Sequence, residues 1–525
     1  MKRPPIRIAV RVAQASSVPR WVARILEGIA QTDGLECCAL LRTPTGRTTS
    51  VPFPVRAWLN VEAMLAARAA PVPMDRSRHG WVELEGSAGL AALGPDVILD
   101  LTGLGGRDID PETARHGVWF PDCVSEEPGL AGLRSLLRRD SINPLTLFRT
   151  TEGGAVLTIA CGAVNPKYLA ARNELFLKEK SVALILRELR RLALTGSVPD
   201  VGRRLFEPFA APGLREFAAY AVRASRESLR RLAEKFLARM GFRPGMFEIS
   251  SLAGDFPDFD PGVARATTPV DNVYQADPFL WQRDGEDYCF FETYDYRTAK
   301  GHISVGQFDR GRLTDIRTAI CTDYHLSFPF LFEHAGELFM MPESCAKKRI
   351  EVWRCTCFPD QWDLHSTAME GVTAADSSLV EIDGSWWLFT NISSDPFGDT
   401  NSELHLFQVD GPDLGKITPH PLNPVQFDAR YARNAGRVIR HEGALLRPAQ
   451  ENSHGTYGYG LNLMRIEEVS MDRYCEGVLR RIEPNFGPGL IGCHHLDVRG
   501  DLIVFDTRRR IGGRGKGTSR ERTAQ

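Results

Sequence analysis

The sequence predicts two folds in one chain: an α/β Rossmann-like domain at the N-terminal end and an all-β five-bladed propeller at the C-terminal end. Strand-like apolar segments alternate with helical periodicity through the first part of the chain, which implies a parallel sheet. After Asp277 one hairpin signature is written five times, roughly 50 to 60 residues apart, within the period range of propellers. With 525 residues the chain has room for two or three domains. The expected boundaries are 1–200 for the α/β domain, 201–270 for a helical bridge and linker, 271–508 for the propeller, and 509–525 for a basic disordered tail.

In the N-terminal part, Ile6 to Val12 reads as a strand. Val18-Pro19 opens a helix that places Trp21, Val22, Ile25, Leu26 and Ile29 on one face. Cys38 to Leu41 and Val97 to Leu101 are further strands, the latter ended by Gly103. Arg172 to Leu194 has the spacing of a long amphipathic helix. Leu214 to Met240 reads as a helix between the halves, with Arg223, Arg226 and Arg230 on a solvated face. Ser250 to Asn272, rich in Gly, Pro and Asp without periodicity, reads as a linker.

In the repeats, each copy is strand, glycine turn, strand. Asp277-Pro278-Phe279-Leu280-Trp281 turns at Asp284-Gly285 into Tyr288 to Glu292. Ser327 to Phe332 turns at Gly336 into Leu338 to Glu343. Asp376 to Val380 turns at Asp383-Gly384 into Trp386 to Phe389. Ala435 to Ile439 turns at Gly443 into Leu445 to Arg447, and His495 to Val498 turns at Gly500 into Leu502 to Phe505.

Composition narrows the function. A formal charge of −2 gives no argument for a nucleic-acid or membrane-surface partner. No apolar run of about 18 residues occurs, so no membrane-spanning helix is expected. Met1 to Pro5 is basic but lacks the apolar core of a signal peptide. The eleven cysteines are scattered and odd in number, and Cys37-Cys38 and Cys355-Thr356-Cys357 are too tight for zinc-ligand spacing. The expectation is reduced cysteines in a cytoplasmic protein, with no metal and no cofactor.

Two resemblances add to this reading. Residues Pro19 to Leu26, Gly117-Val118-Trp119, Glu152 to Leu157 and Arg172-Asn173-Glu174 resemble the formyltransferase domain that uses 10-formyltetrahydrofolate. That family works with an Asn, a His and an Asp. This chain has Phe120-Pro121-Asp122-Cys123 where the His belongs and Glu152 where the Asp belongs. Losing one oxyanion-type donor costs about 10²–10³ in rate, so the resemblance implies a degenerate fold. Active formyl transfer to an amino sugar or amine is the alternative.

Residues 276–450 resemble the propeller-like domain of plant glucosamine inositolphosphorylceramide transferases, and more distantly the furanosidase propellers. The motifs are Ala276 to Leu280, His325 to Phe330, Met341 to Ser344, Asp376 to Leu379, Asp383 to Phe389, His420 to Val425 and Arg447 to Gln450. The resemblance implies a carbohydrate-active enzyme, for glycosyl transfer or glycoside cleavage, acting at the propeller mouth on a small sugar or sugar conjugate. A glycosidic bond needs two carboxyls across it. Asp277 is the expected base or nucleophile, Glu343 the general acid, and Asp376 the residue that orients or tunes. His325, Arg430, Arg433, Arg447, Gln450 and Trp387 are the expected substrate contacts, with Arg447 suited to an anionic group. The furanosidase pattern places a second acid at the start of blade two, where this chain has Leu326-Ser327-Phe328-Pro329. Structural alternatives stand beside each carboxylate: a turn cap for Asp277, pairing with Lys347, Lys348 or Arg349 for Glu343, and backbone bonding for Asp376. A non-catalytic sugar-binding scaffold is the remaining alternative.

Overall fold

The computed structural model describes residues 3–13, 17–43, 51–66, 72–73, 81–106, 108–124, 129–199, 201, 211–239, 245–267, 273–309 and 312–510. The tail expected from residue 509 therefore lies outside the described residues from 511 onward, as does 202–210 of the expected bridge. The chain divides into two compact units: residues 1–227 with 394–398, and residues 228–393 with 399–525.

The first unit is built on a seven-stranded sheet. Along the chain come β1 (Ile6–Val12), α1 (Arg20–Gln31), β2 (Leu35–Arg42), α2 (Phe53–Ala66), β3 (Val82–Glu85), β4 (Val97–Asp100), β5 (Val118–Pro121), α3 (Leu130–Arg138), β6 (Asn143–Thr150), β7 (Val156–Val164) and α4 (Ala170–Thr195). The sheet order is β3-β2-β1-β4-β5-β6-β7. The first five strands pair in parallel, as the alternation of strands and helices implies. Ile8, Val10, Leu40 and Ile98 are fully buried, because helices cover both faces of a parallel sheet and its strands read as continuous apolar runs. The wholly parallel expectation fails at one edge. β6 and β7 are antiparallel, joined by the tight turn Thr151 to Ala155, where Gly153 and Gly154 take φ 73° and 74°. The sheet is thus mixed. α4 ends at Gly196, left-handed at φ 71°.

The second unit is a five-bladed propeller. Blade one comprises Val273–Arg283, Glu286–Asp295, Lys300–Asp309 and Arg312–Ile320. Blade two comprises Ser327–His334, Glu337–Glu343, Ile350–Cys357 and Gln361–Ala368. Blade three comprises Ala374–Ile382, Ser385–Ile392, His405–Val409 and Ile417–Pro419. Blade four comprises Ile439–His441, Ala444–Glu451, Gly460–Val469 and Tyr474–Ile482. All pair antiparallel, and the first strand of each is innermost. Phe279, Phe290, Leu326, Phe330, Met340 and Leu388 join the core between the first three blades.

Blade five departs from the sequence reading. Leu496–Arg499 and Leu502–Arg509 pair as expected, but the next strand outward is β8 (Met246–Ala253), which then pairs Arg265–Ala266. Part of the stretch expected to be a linker is therefore a strand. Phe247, Ile249, Ser251 and Ala253 alternate along it opposite residues of Leu502–Arg509, but the glycines and prolines that follow mask that period in the sequence.

Gly436 lies where blades four and five meet. Its φ is 144°, and a Cβ there would sit 2.1 Å from the Leu496 carbonyl oxygen. The Leu496 N–H donates to Ala435 O at 2.8 Å, so the close approach is part of the blade contact. Gly436→Ala should cost about 1–3 kcal/mol, from backbone strain and clash. Thermal unfolding of the full chain checks this, and an unchanged midpoint would show that the blade contact yields freely.

Candidate active site

The same backbone device is used in the first three blades. The innermost strands break register at Ala276/Phe279, Ser327/Phe330 and Ala375/Ser378. The residue inside each break is left-handed: Asp277 at φ 52°, Phe328 at 48° and Asp376 at 46°. Such a conformation costs a non-glycine residue about 1–3 kcal/mol and persists only where surrounding contacts over-determine it. Blade two carries a phenylalanine where blades one and three carry carboxylates. Phe328 is fully buried edge-on to Phe279 and His495, at ring separations of 5.0 and 5.2 Å.

Across each break sits a polar residue of the second strand. Ala276 pairs with Glu292, Ser327 with Glu343, and Ala375 with Asn391. Five blades thus deliver Asp277, Glu292, Glu343, Asp376, Arg433, His494 and Asp506 to one end of the propeller axis.

Arg433 is the hub of one half. Its Nε donates to Asp376 Oδ2 at 2.7 Å and its Nη2 to Glu343 Oε2 at 3.3 Å, and Nη1 reaches the Thr400 hydroxyl. Gln450 Nε2 donates to the same Asp376 oxygen at 3.1 Å. Burial works against the charge on Arg433, but Asp376 and Glu343 outweigh it and hold the guanidinium ionised. Burial likewise pushes Asp376 up to about 8, against the pull of Arg433 and with the repulsion of Glu343. Glu343 retains some exposure, 13% of its side chain.

Asp506 anchors the other half. It accepts from the backbone N–H groups of Asp277, His494 and His495 at 3.1, 2.9 and 3.1 Å, and lies 2.7 Å from His494 Nδ1. His494 Nε2 is 3.7 Å from Asp277 Oδ1, and Asp277 Oδ2 accepts from Phe328 N–H at 3.2 Å. Burial raises Asp277 to about 7, with Asp506 and Asp376 adding to it against the pull of His494. Burial would lower His494, yet Asp506 and Asp277 raise it, and His494 in turn lowers Asp506 against the effect of burial. Glu292 is driven well above the ordinary carboxyl range, by burial first and by Asp277 second, and accepts from the Tyr274 hydroxyl at 3.2 Å.

Ligand atoms of Asp277, His494 and Asp506 lie within 4.8 Å of one another, a set that fits a cation by type. The Asp506 oxygens already accept four hydrogen bonds, whereas Asp277 stands 3.7 Å from His494 Nε2, an ion-pair distance and not a hydrogen bond.

The Tyr457 ring lies 5.3 Å from the Arg433 guanidinium and 5.4 Å from the His494 ring. It also lines a cleft of about 1040 Å³ with His454, Tyr459, Asn485 and Arg508, among others. The cleft holds none of the cluster carboxylates and adjoins them through Tyr457. The axis is filled below by Phe279, Phe328, His495 and Arg437, whose guanidinium pairs with Asp497 at 2.7 Å and lies 5.5 Å from the Phe279 ring centre.

Of the residues singled out from sequence, Asp277, Glu343, Asp376, Arg433 and Gln450 meet here. The alternative pairing of Glu343 with Lys347, Lys348 or Arg349 is replaced by Arg433, and Arg349 pairs with Glu351 instead. His325 stands at the rim: its Nδ1 accepts from Gly301 N–H at 2.9 Å and its Nε2 is 3.5 Å from Glu292. Three expected substrate contacts are otherwise engaged. Arg447 is fully buried and its fork is taken by Glu476 at 2.7 and 2.9 Å, because a buried guanidinium must be neutralised on site. Arg430 pairs with Asp428 at 2.6 Å. Trp387 packs in the core with Val380, Leu404 and Val438. Glu292, His494, Asp506 and Tyr457 were missed. Glu292 was findable as the blade-one counterpart of Glu343, and His494 by starting the fifth repeat one residue earlier.

A five-bladed propeller with a carboxylate cluster at one mouth is the class that fold and site define. The family described as glucosamine inositolphosphorylceramide transferase 1, N-terminal, matches residues 262–485. The chain is similar to glucosamine inositolphosphorylceramide transferase 1 of Oryza sativa subsp. japonica, 36% identical over 222 residues, covering 41% of this chain and 29% of that protein. The Arabidopsis thaliana protein of the same name is 32% identical over 234 residues, covering 43% and 30%. The chain thus spans less than a third of the curated relatives it matches. Among solved structures, a family 117 glycoside hydrolase of Zobellia galactanivorans is 12% identical with TM-score 0.33, covering 50% of this chain and 90% of that one. An exo-β-1,3-galactanase of Phanerochaete chrysosporium is 12% identical with TM-score 0.34, covering 50% and 63%.

The buried carboxyls set a pH dependence. Folded, Asp277 and Asp376 keep their protons to about 7 and about 8, against an ordinary 3.8. Above 3.8 the unfolded chain releases them first, so the folded state binds more protons and stability falls as pH rises toward 8; below 3.8 both states are protonated and stability stays at its full value without further change. His494, raised from 6.5, acts in the same direction. The melting temperature of the full chain should decline between about pH 4 and pH 8, and Asp277→Asn should flatten that decline. An identical slope in the variant would contradict the neutral buried carboxyl.

Proposed function

We propose that the propeller unit is a carbohydrate-active enzyme, for glycosyl transfer or glycoside cleavage on a small sugar or sugar conjugate, with its reaction at the axial carboxylates. The observation that carries this is the convergence of Asp277, Glu343 and Asp376, from three separate blades, with two of them held near the proton affinity that neutral-pH acid–base work requires. The family match over residues 262–485 and the named activity of the relatives support a sugar as substrate.

In this reading Asp277, near 7, is the base: it takes the proton of the attacking water or acceptor hydroxyl. Asp376 keeps its proton near neutrality and shares it with Glu343. Glu343, the most exposed of the three, passes a proton to the departing glycosidic oxygen as that bond breaks. Arg433 holds the acid pair in register, and Tyr457 and His325 line the approach. One proton is taken up and one given per turnover, so the cluster returns to its starting charge. The cytoplasmic placement belongs to the same proposal and rests on the odd, scattered cysteines.

We take the first unit as a degenerate formyltransferase-like fold. Phe120 and Cys123 are buried, and Glu152 is exposed on its turn. At the C-terminal ends of β1 and β4, where open α/β sheets place ligands, Arg11 is paired with Asp100 and Asp108. On this reading, a folate analogue added to the full chain leaves its melting temperature unchanged, whereas a clear upward shift would restore formyl transfer.

The central test is turnover of a panel of nitrophenyl glycosides and nucleotide sugars by Asp277→Asn and Glu343→Gln. Each should lose about 10²-fold or more. Full activity in both variants would end the proposal.

A further inference from the structure

Helix α5 (Leu214–Arg239) carries two apolar faces. One is buried: Phe217, Tyr220 and Ala224 pack with Val55 and Leu59 of α2. The other is not. Leu214, Val222, Leu229, Leu232 and Phe236 are between 58% and 66% exposed. At 3.6 residues per turn these five fall within an arc of about 100°, distinct from the buried face and running the length of the helix. Exposed apolar area on this scale marks an interaction surface.

The charges of α5 are sorted around that stripe. Helix periodicity puts Arg215 and Arg226 along one edge of it, and Glu216, Glu227 and Glu234 beyond them, on the side away from the stripe, where Arg230 pairs with Glu234 and faces the cleft that Tyr457 lines. Over its length the helix has seven basic and three acidic residues. The sorting discriminates between occupants. A second copy laid on the stripe, parallel or antiparallel, brings no acid of either helix to the basic edge of the other. A surface of anionic headgroups over acyl chains matches both elements at once: aliphatic side chains enter the interface while the arginines stay at headgroup level.

We infer that α5 is a peripheral membrane-binding helix, its Leu214-to-Phe236 stripe seated in the interface of an anionic bilayer and its arginine edge on the lipid phosphates. The inference stands apart from the sugar chemistry proposed above and does not depend on it.

The test is co-sedimentation of the full chain with vesicles of about three parts phosphatidylcholine to one part phosphatidylserine, and with phosphatidylcholine alone. The chain should pellet with the first and not the second, and rising salt should release it. Leu229→Asp with Phe236→Asp, and separately Arg215→Glu with Arg226→Glu, should each weaken binding about tenfold or more, with the melting temperature unchanged because all four positions are exposed. Absence of binding to the anionic vesicles, or binding by both double variants as tight as that of the unaltered chain, overturns the inference. So does light scattering that finds a dimer which Leu229→Asp dissolves, since the stripe would then be covered by a second copy.

Discussion

Asp506 accepts hydrogen bonds from three backbone N–H groups, and one of them belongs to Asp277, in the first blade, while Asp506 itself lies in the last. A fully buried carboxylate is tolerable only when its lone pairs are satisfied. Here the satisfaction doubles as the stitch between the two ends of the propeller ring. Everything around it follows. The anion fixed by backbone donors draws His494 to its charged form, and His494 then sets the field felt by Asp277. On the opposite side Arg433 plays the complementary part, a buried cation whose two carboxylate partners come from different blades.

The two halves differ in kind. Around Asp506 three of the four donors are main-chain groups that the fold cannot move without opening blade five. Around Arg433 the partners are acceptor side chains, one of which keeps a path to solvent. A site that must exchange protons with a substrate needs both: a rigid field on one side and an exchangeable hydrogen-bonded pair on the other.

The repeats were plain in the sequence because each hairpin writes its glycine turn between apolar runs, and Asp277, Glu343 and Asp376 stood out as carboxylates in those runs. Arg433 and Gln450 were chosen as ligand contacts and instead hold Asp376, since sequence gives no means of telling a guanidinium that meets substrate from one that meets a neighbouring blade. Arg447 and Trp387 illustrate the same limit: a charged or aromatic residue beside an apolar strand looks like a rim residue until the partner strand supplies Glu476 or a core. His494 and Asp506 were hidden by distance, because their chemistry exists only once residues more than 200 positions apart are brought together. In the α/β unit the parallel strands were legible from their apolar runs, but the reversed direction of β6, antiparallel to both β5 and β7, is set by connections whose direction no periodicity encodes.

Strand β8 has a further bearing on how the propeller comes into being. Met246–Ala253 precedes blade one, yet it hydrogen-bonds along Leu502–Arg509, so the last blade unites segments made at the start and end of the domain's synthesis. A ribosome releasing this chain delivers four blades with an unpaired edge strand waiting, and the ring locks only when the final hairpin emerges. Closure is then a late, long-range event, slow by its contact order. The family match, which begins at residue 262, leaves this strand out: a chain cut at that point would lose the partner of Leu502–Arg509.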